Sequence, residues 1–551
     1  MIPKLLRGES LALPLALVLL GVFAVVFSHN IVDPDLWGHV RYGQHMIEQG
    51  KVFETDPYSY LSGGVPWINH ELVCEFTLGF LEPRVGATGL LVWKILMGVL
   101  TLAPVIWVHR DKHYEPLTIV LVAVLLAQSL WPGWTLRPQL FTYLFMSCLG
   151  LIMTQHSQGH WKALALVPLL VIAWTNAHGG FVAGLAIFGV HVSFECCSQM
   201  KRAEPGWLRR ILTLLGILAL SLLVTIVNPY GTGLLTWIWD SLTWPRPEIH
   251  EWWPVTLWSW EYFSFKIFVT ITVLSLIFTR RPRSWKEMTI LGLAAVQAFM
   301  HRRHIPLFAI LAACWLPEHL EDFLARVRAG LIPPHTPGPS RGTLRLYAAG
   351  FVALATLFLG LTTVQTSVLR VERSVYPVEA FEFIERHQLE GRMVTEFNWG
   401  QYCLYSFWPR LLVSVDGRFD TSYSREILDL NLDFIMGDIP RWRNRSPSTG
   451  PFVADRILDL GEPNLALVDR QRPECVKVIE RRADWVLLYQ DALAQIWGRY
   501  SMYGDPRGVH YIPPSERSIG DEPQTGWAAY PALPCAKDNA RQTCPHKETL
   551  L

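Results

Sequence analysis

The sequence predicts a polytopic α-helical membrane protein that carries a separate α/β domain outside the bilayer. Hydrophobic residues make up 51% of the 551-residue chain, more than a soluble protein usually carries, and long apolar runs alternate with polar loops. The 24 tryptophans are typical of membrane–water interfaces, where amphipathic rings accumulate. The net charge of +1 gives no electrostatic reason to expect nucleic acid as a partner.

Eleven apolar segments are candidates for membrane-spanning helices. A spanning helix needs about 20 mostly apolar residues, so the shorter segments would have to tilt or re-enter. No small-x-small cleavage site follows the segment nearest the N-terminus, and we expect an uncleaved span there. The segments are residues 11–28, 86–108, 116–132, 138–155, 162–176, 180–197, 210–228, 264–279, 287–300, 305–317 and 345–364.

Basic residues indicate which membrane face each loop occupies. Lysine and arginine collect in alternate loops, for example at Arg110, Lys201 and Arg280, and the positive-inside rule places these loops in the cytoplasm. With an odd number of spans, the C-terminal part then lies on the extracytoplasmic side. Arg302 and Arg303 fall on that side against the rule, so they are either functional or extended toward lipid phosphates.

The first outer loop, residues 29–85, carries the densest set of reactive side chains. Asp33 and Asp35 follow the first apolar segment, and Glu71 closes the polar part of the loop. These three carboxylates are the candidate catalytic residues, because a carboxylate there can act as a general base or bind a cation. If a helix begins at Asp35, then Asp35 and His39 share one of its faces. The alternative is that Asp35 only caps an interfacial helix.

Polar residues in the other outer loops extend the set of candidates. Arg137 precedes a helix start and could bind a phosphate group together with the first amides of that helix. His178 could ligate a metal or form a hydrogen bond within the helix bundle, and the bundle role is favoured for a single histidine. The predicted substrate-binding residues are His39, Arg41, Trp67, His70, Arg137, Asn176, His178, Trp252, Arg302 and Arg303.

A divalent cation is the one cofactor that these residues suggest. Asp35, His39 and His70 are its candidate ligands, because carboxylate oxygens and imidazole nitrogens bind such ions. The chain contains no P-loop, GxSxG or HExxH motif and no GxGxxG at a helix start, so the chemistry of those motifs is not indicated.

The C-terminal part indicates a small α/β domain. Helical spacing of apolar residues is followed by two apolar runs, 411–415 and 485–489, that are typical of buried strands. We therefore expect a transmembrane domain over residues 1–371, an extracytoplasmic α/β domain over 372–504 and an irregular tail over 505–551.

The layout of the chain resembles the GT-C superfamily of polytopic glycosyltransferases, such as protein O-mannosyltransferases, aminoarabinose transferases and the RgtA/B/C/D-like group. The resemblance rests on the first span, the long first outer loop with an aspartate near its start, the interfacial helix in that loop and the C-terminal domain. More narrowly, the chain resembles a bacterial family of multi-spanning proteins grouped with these enzymes, in the stretches DPDLWGHVRYGQHMIEQGKVFETDPYSY, GVPWINHEL, LRPQLFTYLF, WTNAHGGFVAGL, VNPYG, EWWP and DGRFD.

The resemblance implies transfer of a sugar from a polyprenyl-phosphate donor to an acceptor on the extracytoplasmic face of the bacterial inner membrane. Asp35 or Asp33 would match the catalytic aspartate of the first loop and act as general base in an inverting reaction. Many relatives have adjacent Asp and Glu there, whereas this sequence has Asp-Pro-Asp, so the identity of the base stays open. Arg137, Arg302 and Arg303 would neutralise the leaving phosphate.

Two other functions remain open from the sequence. A transporter or lipid-handling protein would also contain intramembrane charges, but its acids would lie near the membrane midplane and its halves would match. Here the charges cluster toward one face, and no internal repeat is visible. A non-catalytic scaffold of an envelope assembly would use the C-terminal domain for binding. The glycosyltransferase hypothesis requires the loop acids and the arginines to converge in one cavity at the membrane surface.

Overall fold

The structure, a computed structural model, describes residues 11–331, 340–438 and 443–534. Each of the eleven apolar segments contains a helix. This is expected, because lipid offers no hydrogen-bond partners and the backbone groups of a segment can pair with one another only in a helix. In chain order, the α-helices of the described residues up to 367 are α1 (Ala12–Phe27), α2 (Leu36–Gln49), α3 (Leu72–Val108), α4 (Pro116–Leu130), α5 (Gln139–Ser157), α6 (Leu166–Thr175), α7 (Phe181–Arg202), α8 (Trp207–Leu223), α9 (Gly233–Thr243), α10 (Phe263–Phe278), α11 (Trp285–Met300), α12 (Ile305–Trp315), α13 (Pro317–Leu331) and α14 (Arg341–Ser367).

Five helices of the described chain are long and apolar enough to cross a membrane. They are α3, α7, α14 and, each extended by a short 3₁₀ turn, α4 and α8. Three shorter apolar helices accompany them, namely α1, α10 and the segment Trp161–Thr175. The chain is therefore a polytopic helical membrane protein, as predicted, although only five of the eleven expected spans meet the length and hydropathy of a full span within the described residues.

The chain folds as two compact units. The first unit contains the residues up to His29, Leu91–Leu235 and Ile249–Ser367. The second unit contains Asn30–Leu90, Thr236–Glu248 and the residues from Val368 onward. The first outer loop therefore belongs to the same compact unit as the C-terminal part, whereas the predicted boundary at residue 371 assigned it to the membrane domain. The chain passes from one unit to the other within α3, just after a kink at Gly86, whose φ of 62° favours glycine.

Helix α12 lies at the centre of the first unit. All of its residues from Ile305 to Trp315 are buried, and it packs against α4, α5, α10 and α11. Its sequence, IPLFAILAACW, is apolar on every face, which is typical of a helix surrounded by other helices. Helix α14 packs on α1 but has no buried residue, so most of its apolar surface is available to lipid.

A six-stranded mixed sheet forms the core of the second unit. The strands in the described part of the chain are β1 (Arg370–Glu372), β2 (Gly391–Val394), β3 (Leu411–Val413), β4 (Leu465–Asp469), β5 (Trp485–Gln490), β6 (Ala494–Arg499), β7 (Ser518–Ile519) and β8 (Trp527–Ala529). The sheet has the order β3-β2-β4-β6-β5-β7, with β2 parallel to both β3 and β4, and β6 antiparallel to both β4 and β5. The two predicted strands are confirmed as β3 and β5.

Four helices alternate with these strands and complete the α/β domain. Apolar side chains of the last two pack against β4 and its neighbours in one buried cluster that includes Val394, Leu430, Val468 and Ile479. The helices are α15 (Val378–Arg386), α16 (Phe397–Phe407), α17 (Arg425–Met436) and α18 (Pro473–Glu480).

Two segments outside the predicted α/β domain extend the second unit. The residues after Asp505 were expected to be irregular, but β7 joins the six-stranded sheet and β8 pairs with β1. Most of the described residues up to 534 nevertheless have no regular secondary structure, and the prediction fails only at these two strands, because two or three residues are too few to show a periodic pattern; residues 535–551 lie outside the described part. The first loop adds backbone bridges from Ile31 to Arg370 and from Ser59 to Val413.

Candidate functional site

A close crossing of α2 with the start of α3 positions the reactive side chains of the first loop. Gly43 in α2 and Gly79 in α3 face each other, and a Cβ atom on either glycine would overlap the backbone of the opposite helix. Two helix backbones approach this closely only where the crossing residues are small. His39 and Glu75 each lie one helical turn before these glycines and therefore meet across the crossing.

His39 contacts two acids at this crossing. Its Nδ1 lies 3.4 Å from Glu75 Oε1 and 3.9 Å from Glu71 Oε2. Asn69 Nδ2 donates a hydrogen bond of 2.5 Å to Glu75 Oε2, and Asn69 Oδ1 accepts one of 3.1 Å from the Glu71 N–H. His39 and Glu75 are buried, whereas 25% of the Glu71 side chain is exposed. The loop cluster, defined here as His39, Asn69, Glu71 and Glu75, thus contains one acid that a ligand can reach.

The loop cluster favours the protonated form of His39. Burial alone would lower the pKa of this imidazole, but the hydrogen bond to Glu75 and the negative charges of Glu71, Glu75 and Asp35 raise that pKa to about 9. His39 is therefore an imidazolium at neutral pH, and its charge offsets part of the negative charge of the surrounding acids.

Asp33 and Asp35 have different surroundings. The Asp33 side chain is buried and its Oδ1 accepts a hydrogen bond of 3.0 Å from the Asp35 N–H, so Asp33 stabilises the turn before α2. Asp35 is the N-cap residue of α2, but its side chain makes no capping hydrogen bond. Instead, Asp35 Oδ1 lies so close to Gly417 that a side chain on Gly417 would collide with it. The Gln401 side-chain amide, with its nitrogen turned toward Asp35, donates a hydrogen bond of 3.2 Å to the same oxygen.

The structure places His70 at the edge of the loop cluster and gives Arg41 other partners. His70 Nε2 lies 3.7 Å from Glu71 Oε1, and its ring packs on Trp237. Arg41 Nη1 lies 3.7 Å from a carboxylate oxygen of Glu48, and the guanidinium group lies over an indole ring of the C-terminal part.

Trp67 is a core residue of the second unit. Only 2% of it is exposed, and the Arg418 guanidinium lies over its ring, 4.8 Å from the centroid. This burial contradicts the predicted role of Trp67 in substrate binding. The sequence could not separate the two roles, because an aromatic residue that closes a polar loop suits a sugar-binding surface and a core equally well.

Arg418 is the centre of a buried charge network. Its guanidinium donates to Asp56 Oδ1 and Oδ2 at 2.8 and 3.0 Å and to Asp416 Oδ1 and Oδ2 at 2.9 and 2.7 Å. The Tyr423 hydroxyl donates to Asp416 Oδ2 at 2.7 Å. Burial would raise the pKa of Asp416, but the Arg418 guanidinium lowers it below its ordinary value. A buried guanidinium with two carboxylate partners is compensated in charge, so this network holds the first loop to the turn after β3.

In the first unit, two arginines share one acid. Arg137 Nη1 donates to Glu251 Oε1. Burial would raise the pKa of Glu251, but the charges of Arg137 and Arg303 lower it. Arg303 also lies over the Trp252 ring, 4.9 Å from its centroid. The structure thus brings Arg137, Trp252 and Arg303 together around Glu251.

Arg302 has different partners from Arg303. Its Nη2 lies 2.8 Å from Glu261 Oε2, and its guanidinium lies over the rings of Trp253 and Tyr262. The predicted pair of adjacent arginines is therefore divided between two acids.

Asn176 and His178 hold the turn between α6 and α7. Asn176 Nδ2 donates to two backbone carbonyls at 2.9 and 2.8 Å. His178 Nδ1 accepts a hydrogen bond of 3.1 Å from the Gly180 N–H and lies 2.8 Å from Thr142 Oγ1. These contacts are those of a bundle residue, the role that the sequence favours for His178.

The donor atoms of the loop cluster fit a divalent cation. One nitrogen of His39 and one carboxylate oxygen each of Glu71 and Glu75 lie within 4.8 Å of one another. Imidazole and carboxylate ligands together suit ions such as Zn²⁺ or Mn²⁺. Within the described residues this group includes neither Asp35 nor His70, so of the three predicted ligands only His39 belongs to it.

Two acids of these clusters were missed from the sequence. Glu75 shares a helix face with Glu71, four residues earlier, and that spacing could have identified it. Glu251 lies in the EWWP motif, but no sequence signal joins it to Arg137, which is more than a hundred residues away in the chain.

Comparison with known proteins identifies the fold. No family model and no curated protein matches the chain. The solved structure of the archaeal oligosaccharyltransferase AglB from Archaeoglobus fulgidus, in complex with an inhibitory peptide and a dolichol-phosphate, matches with a TM-score of 0.51 and 12% identity over 84% of this chain and 70% of AglB. ArnT from Cupriavidus metallidurans, bound to undecaprenyl phosphate, matches with a TM-score of 0.50 and 13% identity over 91% of this chain and 99% of ArnT. The chain therefore shares the fold of AglB and ArnT over most of its length, which agrees with the layout that the sequence predicts.

Proposed function

We propose that the protein is a membrane glycosyltransferase that moves a sugar from a polyprenyl-phosphate donor to an acceptor at the extracytoplasmic face of a bacterial inner membrane. The observation that carries the proposal is the loop cluster, a buried His39 flanked by Glu71 and Glu75, in a chain with the fold of AglB and ArnT. Both of those proteins were solved with polyprenyl phosphates, which supports the same class of donor here.

Asp35 is the proposed general base of an inverting transfer. Its carboxylate takes the proton of the acceptor hydroxyl while that oxygen attacks the anomeric carbon, and the bond from this carbon to the phosphate oxygen breaks on the opposite face. Asp33 positions Asp35 through the hydrogen bond from the Asp35 N–H.

The arginines of the first unit are proposed to neutralise the leaving polyprenyl phosphate. Negative charge develops on that phosphate as the sugar departs, and a guanidinium stabilises it. Arg137 and Arg303 share Glu251, which leaves net positive charge on the group. The arginines belong to the first unit and the loop acids to the second, so their action on one substrate is itself a prediction of this proposal.

A divalent cation is proposed as a ligand of His39, Glu71 and Glu75. When bound, it would supply positive charge for the phosphate group of the donor. Proton and cation compete for His39 Nδ1, whose pKa is about 9, so affinity for the cation at this site should rise about tenfold per pH unit below that value.

The decisive test compares Asp35→Asn with the unaltered protein. We expect Asp35→Asn to lower the rate of transfer by about 10² to 10⁴-fold, the contribution of a positioned general base, without preventing insertion or folding. The assay follows consumption of radiolabelled sugars linked to undecaprenyl phosphate by the purified full chain in lipid nanodiscs, after a panel of such donors has identified one that is used.

Glu54→Gln is the matched control, because Glu54 is an exposed acid of the same loop and should not affect transfer. Full activity of Asp35→Asn would remove Asp35 from the mechanism. If the unaltered protein consumes no donor of the panel, a non-catalytic role becomes the better explanation.

A further inference from the structure

A second group of ligand-type side chains lies in the first unit, far from Arg137. His156 is near the end of α5, and His191 and Glu195 occupy one face of α7, four residues apart. Arg137 precedes the start of α5, so His156 lies about 25 Å further along that helix. His156 and Glu195 are each followed in the chain by the lysines and arginines that mark the expected cytoplasmic face.

The three side chains present their donor atoms to one another. His156 Nδ1 lies 3.0 Å from His191 Nε2. One nitrogen of each ring and one carboxylate oxygen of Glu195 lie within 4.8 Å of one another. His156 and His191 are 4% and 1% exposed. A tetrahedral Zn²⁺ with bonds of 2.0–2.1 Å to nitrogen holds two such nitrogens about 3.3 Å apart, so the imidazoles need only a small displacement to share an ion.

The proton positions of the two rings are compatible with metal binding. His156 Nε2 and His191 Nδ1, the outer nitrogens, are buried without a hydrogen-bond partner among the described residues. No donor therefore forces these nitrogens to act as acceptors. They can carry the ring protons and leave lone pairs on the facing Nδ1 of His156 and Nε2 of His191.

Lys286 is the cation that now partners Glu195. Its Nζ donates to Glu195 Oε1 at 2.6 Å and to Ser157 Oγ at 2.7 Å. A carboxylate has two oxygens, so Lys286 can keep one while the other binds an ion. The Lys286 and Glu195 side chains are 10% and 18% exposed, so the carboxylate end of this group reaches the protein surface.

From this geometry we propose that His156, His191 and Glu195 form a binding site for a divalent transition metal of the Zn²⁺ type, at the end of the helix bundle opposite to Arg137. Two imidazoles and one carboxylate are a common ligand set for Zn²⁺, with a fourth position left for water. The ion would join α5 to α7 and hold these two helix ends together. This site is independent of the loop cluster and of the proposed glycosyl transfer.

The test measures bound metal in the full-length protein, purified in detergent and stripped of metal. We expect His191→Ala to bind one Zn²⁺ ion fewer per chain than the unaltered protein in equilibrium dialysis, and Glu195→Gln to bind that ion at least tenfold more weakly. Counting the difference between variants keeps this site separate from any ion at the loop cluster. His109→Ala is the matched control, because His109 is also buried but hydrogen-bonds through both ring nitrogens, to Tyr114 and to the Ala313 carbonyl.

A second measurement protects the test against misfolding. Glu195→Gln preserves the size of the side chain and an oxygen for Lys286, and Co²⁺ replaces Zn²⁺ as a spectroscopic probe. The unaltered protein and His109→Ala should show the visible absorption of tetrahedral Co²⁺ in one site, and Glu195→Gln should need at least tenfold more Co²⁺ to reach the same absorption. Equal Zn²⁺ stoichiometry and equal Co²⁺ spectra in all these proteins would overturn the proposal.

Discussion

His39 shows how a buried histidine can keep its charge. Burial by itself would favour the neutral ring. The pKa of His39 is nevertheless about 9, because Glu75 accepts a hydrogen bond from the ring and three carboxylates lie nearby. The protonated ring and the acids stabilise each other, and they do so only while His39 carries a proton. The folded state therefore gains stability from this proton, and that gain depends on pH.

The stabilisation by His39 should disappear in mildly alkaline solution. Because the pKa is raised from 6.5 to about 9, the contribution is complete below pH 6.5 and is lost as the pH rises through 9. We expect the difference in Tm between the unaltered protein and His39→Gln, measured in detergent, to shrink steadily from pH 6.5 to 9.5. His109→Gln serves as the control, since His109 bonds to neutral groups and its difference should stay constant in this range. A pH-independent difference for His39→Gln would contradict the assignment.

Single residues were predicted with uneven success. The proximity of Asp35 and His39 follows from their spacing on one helix, and the charge of Asp35 does contribute to the pKa of His39. The contact of His39 with Glu75 depends on two helices that cross at glycines. A local sequence pattern does not predict which helices pack together. Trp67 was misjudged for the same reason, because its burial depends on Arg418, some 350 residues away in the chain.

At the scale of elements, the crossing of α2 and α3 decides whether the loop cluster exists. Gly43 and Gly79 allow the two backbones to touch, and His39 and Glu75 follow from that contact one turn away. A methyl group at Gly43 would collide with the Glu75 carbonyl and the Gly79 backbone, so the helices would have to separate. Backbone atoms cannot rotate away as a flexible side chain can.

Gly43→Ala should therefore destabilise the protein and disturb the cluster, although alanine is the better helix former. We expect the free energy of unfolding to fall by about 1–3 kcal/mol, the usual cost of overpacking. Gly189→Ala is the matched control, because Gly189 in α7 has open space around it and alanine there should be neutral or stabilising by up to about 1 kcal/mol. Denaturant or thermal unfolding in detergent measures both; equal behaviour of the two variants would show that the crossing tolerates a side chain.

Most elements could be predicted because their signal is local. The eleven apolar segments are all helical, and two short apolar runs are strands β3 and β5, since length and periodicity determine both. β7 and β8 were missed because two or three residues carry no period, and their pairing depends on β5 and β1.

At the scale of the molecule, the first loop and the C-terminal part fold as one unit. Trp37 has no exposed surface, its ring lies 4.5 Å from that of Tyr402, and its Nε1 donates to the Pro531 carbonyl at 3.0 Å. Arg418 and Asp56 add a buried ion pair between the same segments. The sequence could not predict this assembly, because it depends on contacts between residues that are hundreds of positions apart.

A chain that ends at Ser367 should insert its helices but leave the first loop unfolded. The loop then lacks Tyr402, Arg418 and Pro531, so limited proteolysis should cut it between residues 30 and 71, where the full chain resists. A chain that ends at Pro534 retains all these partners and is the matched control, expected to resist like the full chain. Resistance of the chain that ends at Ser367 would mean that the loop folds without the C-terminal part.

Because the first loop packs with the C-terminal part, the loop cannot finish folding until the C-terminal part has been translated. Roughly 280 residues separate Leu90 from Val368, and a ribosome that adds 5–20 residues per second needs about 15 to 55 s to make them. During this interval the loop has left the ribosome while Trp37, Tyr58 and Trp67 still lack their partners. The second unit of a nascent chain therefore cannot be completed before the last third of the chain has been translated. Until then the aromatic side chains of the loop are exposed to chaperones and proteases.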